Sequence, residues 1–326
     1  METVNIEKSS DTLRKVPTLS LRDYTQGSDS QRLAFIKGLY SGIVDYGFII
    51  LKDHGVDTKL FDRAYKMMAE YFAQPESVKL SHVSKAGAGQ RGYTPFGQEH
   101  AKDSPVMDLK EFWHVGRELP PDHPLMNGPN AYPPNIWPSP EFKELFLQIY
   151  TQLERAGLVM LEALTYPLEV EKDFFFKMCE NGNSILRLLH YPPIPEGVDP
   201  RCLRSAPHED INLITILPAA TAAGLQLKDR DGRWLDGIAN EGELIVDAGD
   251  MLARLTNNVI PATTHQVINT PEATYSSRYS MPFFMHPRSE ASLACLPSCR
   301  GKGAKFPDIT AGEFLNQRLR EIGLLK

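Results

Sequence analysis

The first half of the chain contains segments of helical periodicity and one short apolar run. From residue 30 to 45, apolar side chains recur every three or four positions and Gly47 follows, a pattern that predicts an amphipathic helix. The apolar run 48–51 lies between Gly47 and a polar turn, which predicts a buried strand. Apolar positions recur at helical spacing again between Asp57 and Pro75. The chain is therefore predicted to open with a helix, a strand and a second helix.

The segment 84–140 has a different character, because it is rich in Gly and Pro and has little periodicity. We expect a long irregular excursion with short strands near Tyr93 and Phe112, and long ordered loops are often functional. Ser139 and Pro140 then provide an N-cap and a first helical residue. The apolar positions that follow predict one long helix, which ends before the next proline.

After residue 184 the pattern changes to short apolar runs separated by Gly, Pro and Asp. The runs occupy 185–190, 213–217, 225–227, 243–246, 265–268 and 279–284. Many short strands with turn signals between them are typical of a sandwich or a jelly roll. We therefore predict a mainly β fold whose core is supported by a helical layer. The predicted parts of this one integrated unit are an N-terminal region with loops (1–140), a long supporting helix (141–183), the β core (184–290) and a C-terminal loop and helix (291–326).

The composition narrows the choice of partners and compartment. The 326 residues include 35 basic and 41 acidic side chains, a formal charge of -6. Because sequence-independent binding to nucleic acid needs a cationic surface, we do not expect a nucleic-acid partner. No run approaches 18 apolar residues and the first 15 residues are polar, so we expect a cytoplasmic protein without a membrane partner. The four cysteines are too few for a disulfide scaffold and are expected to be reduced thiols.

The segment His208-Glu209-Asp210, together with His265, is a candidate metal site. Alternation along a strand would point His208 and Asp210 to one side and Glu209 to the other. His265 lies 55 residues after Asp210 and begins a predicted strand. Two imidazoles and one carboxylate can occupy one face of a metal ion and leave the opposite positions open, as in non-haem Fe(II) sites. An isolated H-x-D triplet often arises by chance, so this pattern alone does not establish the site.

Arg278 and Ser280 form a second candidate pair, and Arg278 lies 13 residues after His265. Their spacing would place both side chains on one face of a strand. A guanidinium pairs bidentately with a carboxylate, and a serine hydroxyl adds a further hydrogen bond. A dicarboxylate that binds the metal at one end and Arg278 at the other would satisfy both groups. Taken in isolation, the pair is better explained as a surface arginine beside an incidental serine.

With these motifs, the chain resembles the iron- and 2-oxoglutarate-dependent dioxygenases of the isopenicillin N synthase-like branch. The resemblance spans nearly the whole sequence. The matching segments include Tyr46-Gly47-Phe48, Asp53-His54-Gly55-Val56, Leu186-Arg187, Tyr191-Pro192-Pro193, Pro207-His208-Glu209-Asp210, Gly249-Asp250-Met251-Leu252, Leu255-Thr256-Asn257-Asn258 and Arg278-Tyr279-Ser280-Met281-Pro282-Phe283-Phe284. So many ordered matches are specific to the superfamily, although not to a substrate.

The resemblance implies a distorted double-stranded β-helix, or jelly roll, with an oxidoreductase site. The implied Fe(II) ligands are His208, Asp210 and His265, and the implied contacts to the cosubstrate 2-oxoglutarate are Arg278, Ser280 and Tyr191. The implied reaction uses O2 to oxidise a small organic substrate and releases succinate and CO2. Hydroxylation is the default outcome, and desaturation or cyclisation are the others.

Two positions depart from the pattern of many family members. Leu189 stands two residues before Tyr191, where many members have Asn, and this weakens the transfer of the cosubstrate contacts near the metal. Gln266 stands after the second histidine, where many members have Arg, and is expected to affect only the surroundings of the site.

Other functions stay open at this point. An isopenicillin N synthase-type oxidase would use Fe(II) and O2 without 2-oxoglutarate, and its Arg-x-Ser pair would bind the substrate carboxylate. The synthase carries a penultimate Gln, whereas Leu325 stands there in this chain, which favours 2-oxoglutarate use. A non-catalytic binding protein on the same fold would be expected to have lost a metal ligand. Zinc hydrolysis is disfavoured because the H-E-x-x-H signature is absent.

The sequence gives few indications of the substrate, which we expect to be a small molecule. Arg187 shares a predicted strand face with Tyr191, so it is a candidate contact for an anionic substrate group, and a structural salt bridge is the alternative. The segment 108–113 is expected near the mouth of the site. Phe283 and Phe284 are expected in the core.

Overall fold

A computed structural model describes residues 16–84, 89–101, 104–127 and 131–321 of the protein. Its strands are β1 (Thr18–Ser20), β2 (Phe48–Lys52), β3 (Gly92–Thr94), β4 (Glu111–Gly116), β5 (Ile185–Tyr191), β6 (Ser205–His208), β7 (Ile214–Pro218), β8 (Leu225–Lys228), β9 (Trp234–Asp236), β10 (Leu244–Ala248), β11 (His265–Val267), β12 (Arg278–Ser280) and β13 (Phe283–Met285). Its α-helices are α1 (Leu21–Thr25), α2 (Asp29–Asp45), α3 (Lys59–Phe72), α4 (Glu76–Leu80), α5 (Pro140–Thr165), α6 (Phe174–Cys179), α7 (Asp250–Leu255) and α8 (Ala311–Glu321).

The strands form two sheets. The larger sheet has the order β1-β2-β10-β7-β13-β5-β4-β3, and β12 pairs with β5 outside this path. The smaller sheet has the order β6-β11-β8-β9. Strands from the N-terminal region and from the β core therefore belong to one continuous sheet, with β4 paired to β5 along six residues.

Alternation along the strands divides the buried residues between two layers. Leu186 and Leu188 of β5 belong to the apolar cluster that packs under the helices, together with Phe146 and Leu153 of α5. Leu189 and its inward neighbours belong to a second cluster that includes residues of both sheets. The inner faces of the two sheets thus meet each other, and the helices cover the outer face of the larger sheet. This arrangement is the jelly roll supported by a helical layer that the sequence predicts.

The long helices begin where their capping residues predict. Ser28 and Gln31 form a reciprocal capping box at the start of α2. The Ser139 hydroxyl accepts a hydrogen bond of 3.2 Å from the Phe142 backbone N–H at the start of α5, and Pro140 is the first helical residue. The capping signal was part of the prediction for α5, whereas α2 was predicted from its apolar spacing and from Gly47.

In the described ranges, β1 and α1 precede the predicted helix α2, and the structure also corrects two of the predicted strands. The run 279–284 is not one strand but two, because Pro282 has no N–H for a ladder hydrogen bond and separates β12 from β13. The strand that contains His208 ends at that residue, so Asp210 lies in the connection to β7 and not on a strand. Alternation along a strand is therefore the wrong reason for the proximity of His208 and Asp210.

Some of the predictions concern residues outside the described ranges. The argument against a secretory signal depends on residues 1–15, which lie outside the described ranges. The penultimate position lies in residues 322–326, which are also outside them. No helix in the described ranges is both long enough and apolar enough to cross a bilayer. All four cysteines are free thiols in the structure.

Candidate metal centre and adjoining cavities

Adjacent strands bring the two predicted histidine ligands together. His208 ends β6 and His265 begins β11, and the two residues are partners in the antiparallel register. Asp210 Oδ1 lies 3.8 Å from Nε2 of His208 and 3.8 Å from Nε2 of His265. One donor atom from each of the three residues lies within 4.8 Å of the other two. The three side chains, which we call the triad, form a group that could hold a metal ion.

Backbone carbonyls orient both imidazoles of the triad. Nδ1 of His208 lies 2.8 Å from the Ala206 carbonyl oxygen, and Nδ1 of His265 lies 3.1 Å from the Thr263 carbonyl oxygen. Each Nδ1 therefore donates a hydrogen bond, which leaves each Nε2 facing Asp210 as the ring atom available to a metal ion. Burial, and then the neighbouring His265, lowers the pKa of His208 to about 4. A neutral imidazole is the form that binds a metal ion.

The Asp210 carboxylate is held from behind by side chains of the β7 region. The Thr215 hydroxyl donates a hydrogen bond to Asp210 Oδ2. Asn212 Nδ2 in turn donates to the Thr215 hydroxyl over 2.8 Å. Burial alone would raise the pKa of Asp210, but the two histidines and the Thr215 hydrogen bond lower it below its ordinary value. Asp210 is thus ionised, with Oδ1 left free to face the histidines.

A second buried carboxyl group lies beside this arrangement. Asp247 of β10 is the cross-strand partner of Thr215 and is 3% exposed. Its Oδ1 has no hydrogen-bond partner among the described residues. Burial, and then the charge of Asp210, raises the pKa of Asp247 well above its ordinary value. Of the two neighbouring carboxyl groups, Asp247 is therefore the one that keeps its proton to the higher pH.

A small cavity of about 50 Å³ leads from the triad to the predicted cosubstrate residues. Arg278, Ser280 and Tyr191 line it, and Arg278 and Tyr191 are register partners in β12 and β5. Arg278 is 1% exposed and donates from Nε to the Ala222 carbonyl over 3.0 Å, while its Nη1 has no partner among the described residues. A buried guanidinium with an unpaired nitrogen is a site for an anionic group.

A larger cavity of about 450 Å³ opens on the other side of the triad. His208 and Asp210 border both cavities, so the triad lies where the two cavities meet. Phe284 also borders both, which corrects its predicted place in the core, whereas Phe283 is fully buried there. Phe283 and Phe284 are neighbours in β13, so their side chains point to opposite faces of the sheet. The face of Phe284 borders the cavities.

Four charged side chains, which we call the charged wall, line the larger cavity, and two of them, Lys110 and Arg187, also line the small one. Lys110 Nζ lies 2.8 Å from Glu99 and 2.9 Å from Asp108. Arg187 donates to both carboxylate oxygens of Glu99, over 2.9 and 3.1 Å. Burial would lower the pKa of Lys110, but Glu99 and Asp108 raise it above its ordinary value. The wall thus contains two cations and two anions in direct contact, and Arg187 has the salt bridge that was the alternative to an anionic substrate group.

Family models match both halves of the chain. Residues 16–140 match the family described as the non-haem dioxygenase in morphine synthesis N-terminal region. Residues 182–287, which include the triad and Arg278, match the 2OG-Fe(II) oxygenase superfamily.

Relatives and solved structures agree with these matches. The chain is 30% identical over 279 residues to the 2-oxoglutarate-Fe(II) type oxidoreductase hxnY of Emericella nidulans, a match that covers 82% of this chain and 79% of the relative. A crystal structure of a 2OG-Fe(II) oxygenase family protein from Caulobacter crescentus is similar with a TM-score of 0.82 and 41% identity, over 94% of this chain and 99% of that one. The chain belongs to the 2OG-Fe(II) oxygenase superfamily.

A crystal structure of a full-length Neurospora crassa protein in complex with alpha-KG and thymine resembles this oxygenase with a TM-score of 0.81 and 27% identity, over 94% of this chain and 96% of that one. The predicted oxidoreductase class and the predicted use of Fe(II), 2-oxoglutarate and O2 are confirmed by the superfamily. The synthase-type oxidase and the non-catalytic binding protein, the alternatives that the sequence left open, gain no support from these relatives.

Sequence reasoning missed several side chains that this oxygenase presents to the larger cavity. Glu99, His114 and His286 border it, and none belongs to a recognisable motif. Of the segment 108–113, which was predicted near the mouth, Asp108 and Lys110 line the larger cavity and are buried. The sequence signal that could have identified Lys110 and His114 is the alternation of side chains through β4 and the residue before it. This signal is relevant because β4 pairs with β5, the strand that carries Arg187.

The two departures from the family pattern take different places in the oxygenase. Leu189 lines the small cavity, so an apolar side chain stands beside the triad at the position where many family members have Asn. Gln266 donates to Gln226 of β8 over 2.9 Å and does not line either cavity. Its predicted place in the surroundings of the site agrees with this contact.

Proposed function

We propose that this oxygenase binds Fe(II) through His208, Asp210 and His265 and hydroxylates a small organic molecule held in the larger cavity. The observation that carries the proposal is the position of the triad, whose donor atoms converge where two cavities meet. One cavity contains a buried cation with an unpaired nitrogen, and the other is large enough for a small molecule. This order of groups suits a metal that binds a cosubstrate on one side and acts on a substrate on the other.

The residues present fit Fe(II) by the chemistry of their donors. Two neutral imidazoles and one carboxylate form the facial set of non-haem Fe(II) oxygenases, which leaves the opposite positions open. When bound, Fe(II) and 2-oxoglutarate supply the O2-dependent oxidation of a substrate C–H bond, with succinate and CO2 as the other products. The contribution of the chain is to fix the donors through the Ala206 and Thr263 carbonyls and the Thr215 hydroxyl.

The small cavity is proposed to hold 2-oxoglutarate. Arg278 would pair with the distal carboxylate, the Ser280 hydroxyl would add a hydrogen bond, and Tyr191 would contact the cosubstrate near the metal. The unpaired Nη1 of Arg278 and the burial of Ser280, which is 3% exposed, support this assignment. An unpaired buried guanidinium costs free energy, and a carboxylate would remove that cost.

The substrate is proposed to occupy the larger cavity. Its volume of about 450 Å³ is that of a typical small-molecule site. The similar Neurospora crassa protein, which has been crystallised with thymine, supports a small-molecule substrate of this size. Arg187 and Phe284 border the cavity and are proposed to contact the substrate.

The metal and cosubstrate assignments are tested by anaerobic addition of Fe(II) to metal-free protein, with and without 2-oxoglutarate. We expect a weak visible charge-transfer band that requires both additions. His208→Ala, Asp210→Ala and His265→Ala should each abolish Fe(II) binding and the band. His123→Ala is the matched control, because His123 borders neither cavity. Wild-type Fe(II) binding in any of the three triad variants would contradict the proposed ligand set.

Arg278→Gln separates the cosubstrate contact from the metal site. Loss of one partner of a buried charged pair costs about 2–4 kcal/mol, so the dissociation constant of 2-oxoglutarate should rise roughly 30- to 1000-fold. Fe(II) binding should be unchanged, because Arg278 is not in the triad. An unchanged 2-oxoglutarate titration in this variant would contradict the assignment of Arg278.

A further inference from the structure

Every cation that lines the larger cavity already has a carboxylate partner in the described part of the chain. Lys110 pairs with Glu99 and Asp108 inside the charged wall, and Arg187 pairs with Glu99. At the mouth, Arg318 of α8 pairs with Asp250 over 3.1 Å. An anionic substrate would therefore find no unpaired cation in this lining and would lose its hydration without compensation.

The pairing of Arg187 also defines what this residue can still offer a substrate. Its Nε donates to His114 Nε2 over 2.6 Å, and its two terminal nitrogens each donate once to Glu99. A guanidinium has five N–H donors, so two remain. Because the Arg187 side chain is 16% exposed and lines the cavity, these N–H groups can donate to a neutral oxygen.

His114 is fixed in one protonation state by its own contacts. Its Nδ1 lies 2.8 Å from the Gly89 carbonyl oxygen, which requires the proton on Nδ1, and Nε2 accepts from Arg187. Burial, and then the Arg187 charge, lowers the pKa of His114 well below its ordinary value. His114 is therefore neutral and adds no cation to the cavity.

Two side chains of this lining, Arg318 and His286, have a buried nitrogen without a hydrogen-bond partner among the described residues, and His286, which follows β13, is the uncharged one. It borders the larger cavity, is 6% exposed, and its Nδ1 has no hydrogen-bond partner among the described residues. Burial lowers its pKa to about 4, so the ring is neutral and has one donor and one acceptor. Rotation about the Cβ–Cγ bond exchanges the two edges of the ring, so either nitrogen can face a ligand.

We propose that the larger cavity selects an uncharged amide or lactam whose carbonyl oxygen accepts from Arg187 and whose N–H group meets His286. This inference rests on the proposed function of the triad. It differs from the sequence-based expectation of an anionic substrate, which considered Arg187 without its partner Glu99. A carbonyl and an N–H close together on a neutral molecule match the two free hydrogen-bonding positions. The two cations and two anions of the charged wall cancel, so the wall has no net charge that would attract an ionic substrate.

The test compares neutral and anionic molecules of the same skeleton. The probes are thymine with 5-carboxyuracil, nicotinamide with nicotinate, and phenylacetamide with phenylacetate. Each is added to the anaerobic complex of the protein with Fe(II) and 2-oxoglutarate, and its dissociation constant is read from the change in the visible band. Succinate release in air is measured for the same six compounds.

The expected result is that neutral members bind and that each binds at least about tenfold more tightly than its anionic partner. At least one neutral member should stimulate succinate release. Tighter binding by the anionic member of a pair would overturn the proposal, and so would the absence of binding by all three neutral members. The visible band itself reports on Fe(II) and 2-oxoglutarate, so failure of the proposed function is seen separately, as absence of the band.

Two variants test the residues involved. His286→Leu should weaken the best neutral probe about 3- to 10-fold, as expected for one hydrogen bond, and leave 2-oxoglutarate binding unchanged. His123→Leu, outside both cavities, should change neither. Glu99→Gln frees Arg187 and should shift the preference at least about tenfold toward the anionic partner. Unchanged probe binding in His286→Leu would refute the assigned role of His286. If Glu99→Gln does not fold, the comparison of neutral and anionic probes on the wild-type protein still tests the proposal.

Discussion

Replacement of Thr215 by valine removes one hydrogen bond from the Asp210 carboxylate while leaving the shape of the side chain nearly unchanged. The Thr215 hydroxyl donates to Asp210 Oδ2 and accepts from Asn212 Nδ2. In the Thr215→Val variant, Oδ2 loses its donor and the Asn212 amide loses its acceptor. Both groups are buried, so water does not readily replace the lost contacts.

The magnitude follows from these two losses. A hydrogen bond to a charged group contributes about 1.5–3 kcal/mol. Removal of a partner behind a metal ligand typically lowers metal affinity about 10- to 100-fold. We therefore expect the dissociation constant of Fe(II) to rise within that range and the metal-free protein to lose about 1.5–3 kcal/mol of unfolding free energy.

The assay is anaerobic titration of metal-free protein with Fe(II), together with urea unfolding of the same samples. Thr256→Val is the matched control, because Thr256 is fully buried and its hydroxyl donates to the Leu252 carbonyl over 2.9 Å, away from the triad. The control should lose stability without a change in Fe(II) affinity. If Thr215→Val binds Fe(II) as tightly as the wild type while losing stability like the control, the reasoning about Asp210 is refuted.

Two further predictions concern stability. The pKa of the Asp247 carboxyl has its ordinary value of 3.8 in the unfolded chain and a higher value in the folded protein. At a pH between these two values, the unfolded chain has released a proton that the folded chain still holds. The contribution of Asp247 to the stability therefore falls as the pH rises through this interval. Asp247→Asn should therefore gain unfolding free energy over the wild type progressively as the pH rises above about 4 in metal-free protein, and parallel pH profiles from urea unfolding would contradict this. Ser139→Ala removes the cap of α5 and should cost about 0.5–2 kcal/mol in thermal or urea unfolding, whereas Ser139→Asp should retain most of it. Equal loss in both Ser139 variants would show that the hydroxyl does not act as a cap.

The helices and the β core were predictable because their signals are local. Ser139 and Pro140 mark the start of α5, and the periodic positions after them define its buried face. The spacing of His208, Asp210 and His265 identified the candidate metal site, although Asp210 reaches it from a connection rather than from a strand. Local patterns thus identified residue types at the centre of the site.

The cavity lining was not predictable to the same degree. Glu99 and Arg187 are 88 residues apart in sequence, and their bidentate contact depends on how the loop before β4 lies against β5. Phe284 continues the alternation of Arg278 and Ser280, since all three line the small cavity, but the sequence does not show that this face borders a cavity at Phe284 rather than the core. Such contacts are set by tertiary placement, which one sequence does not reveal.

The continuous sheet brings side chains of the N-terminal region and of the β core to the same larger cavity. Glu99, Lys110 and His114 reach the larger cavity from the N-terminal stretch, whereas the proposed metal ligands lie between 208 and 265. Mutations in the first stretch can therefore remodel what the cavity accepts while the iron chemistry is inherited intact. Exchange of this stretch between relatives is a route to new substrates, provided that the six-residue seam between β4 and β5 keeps its register.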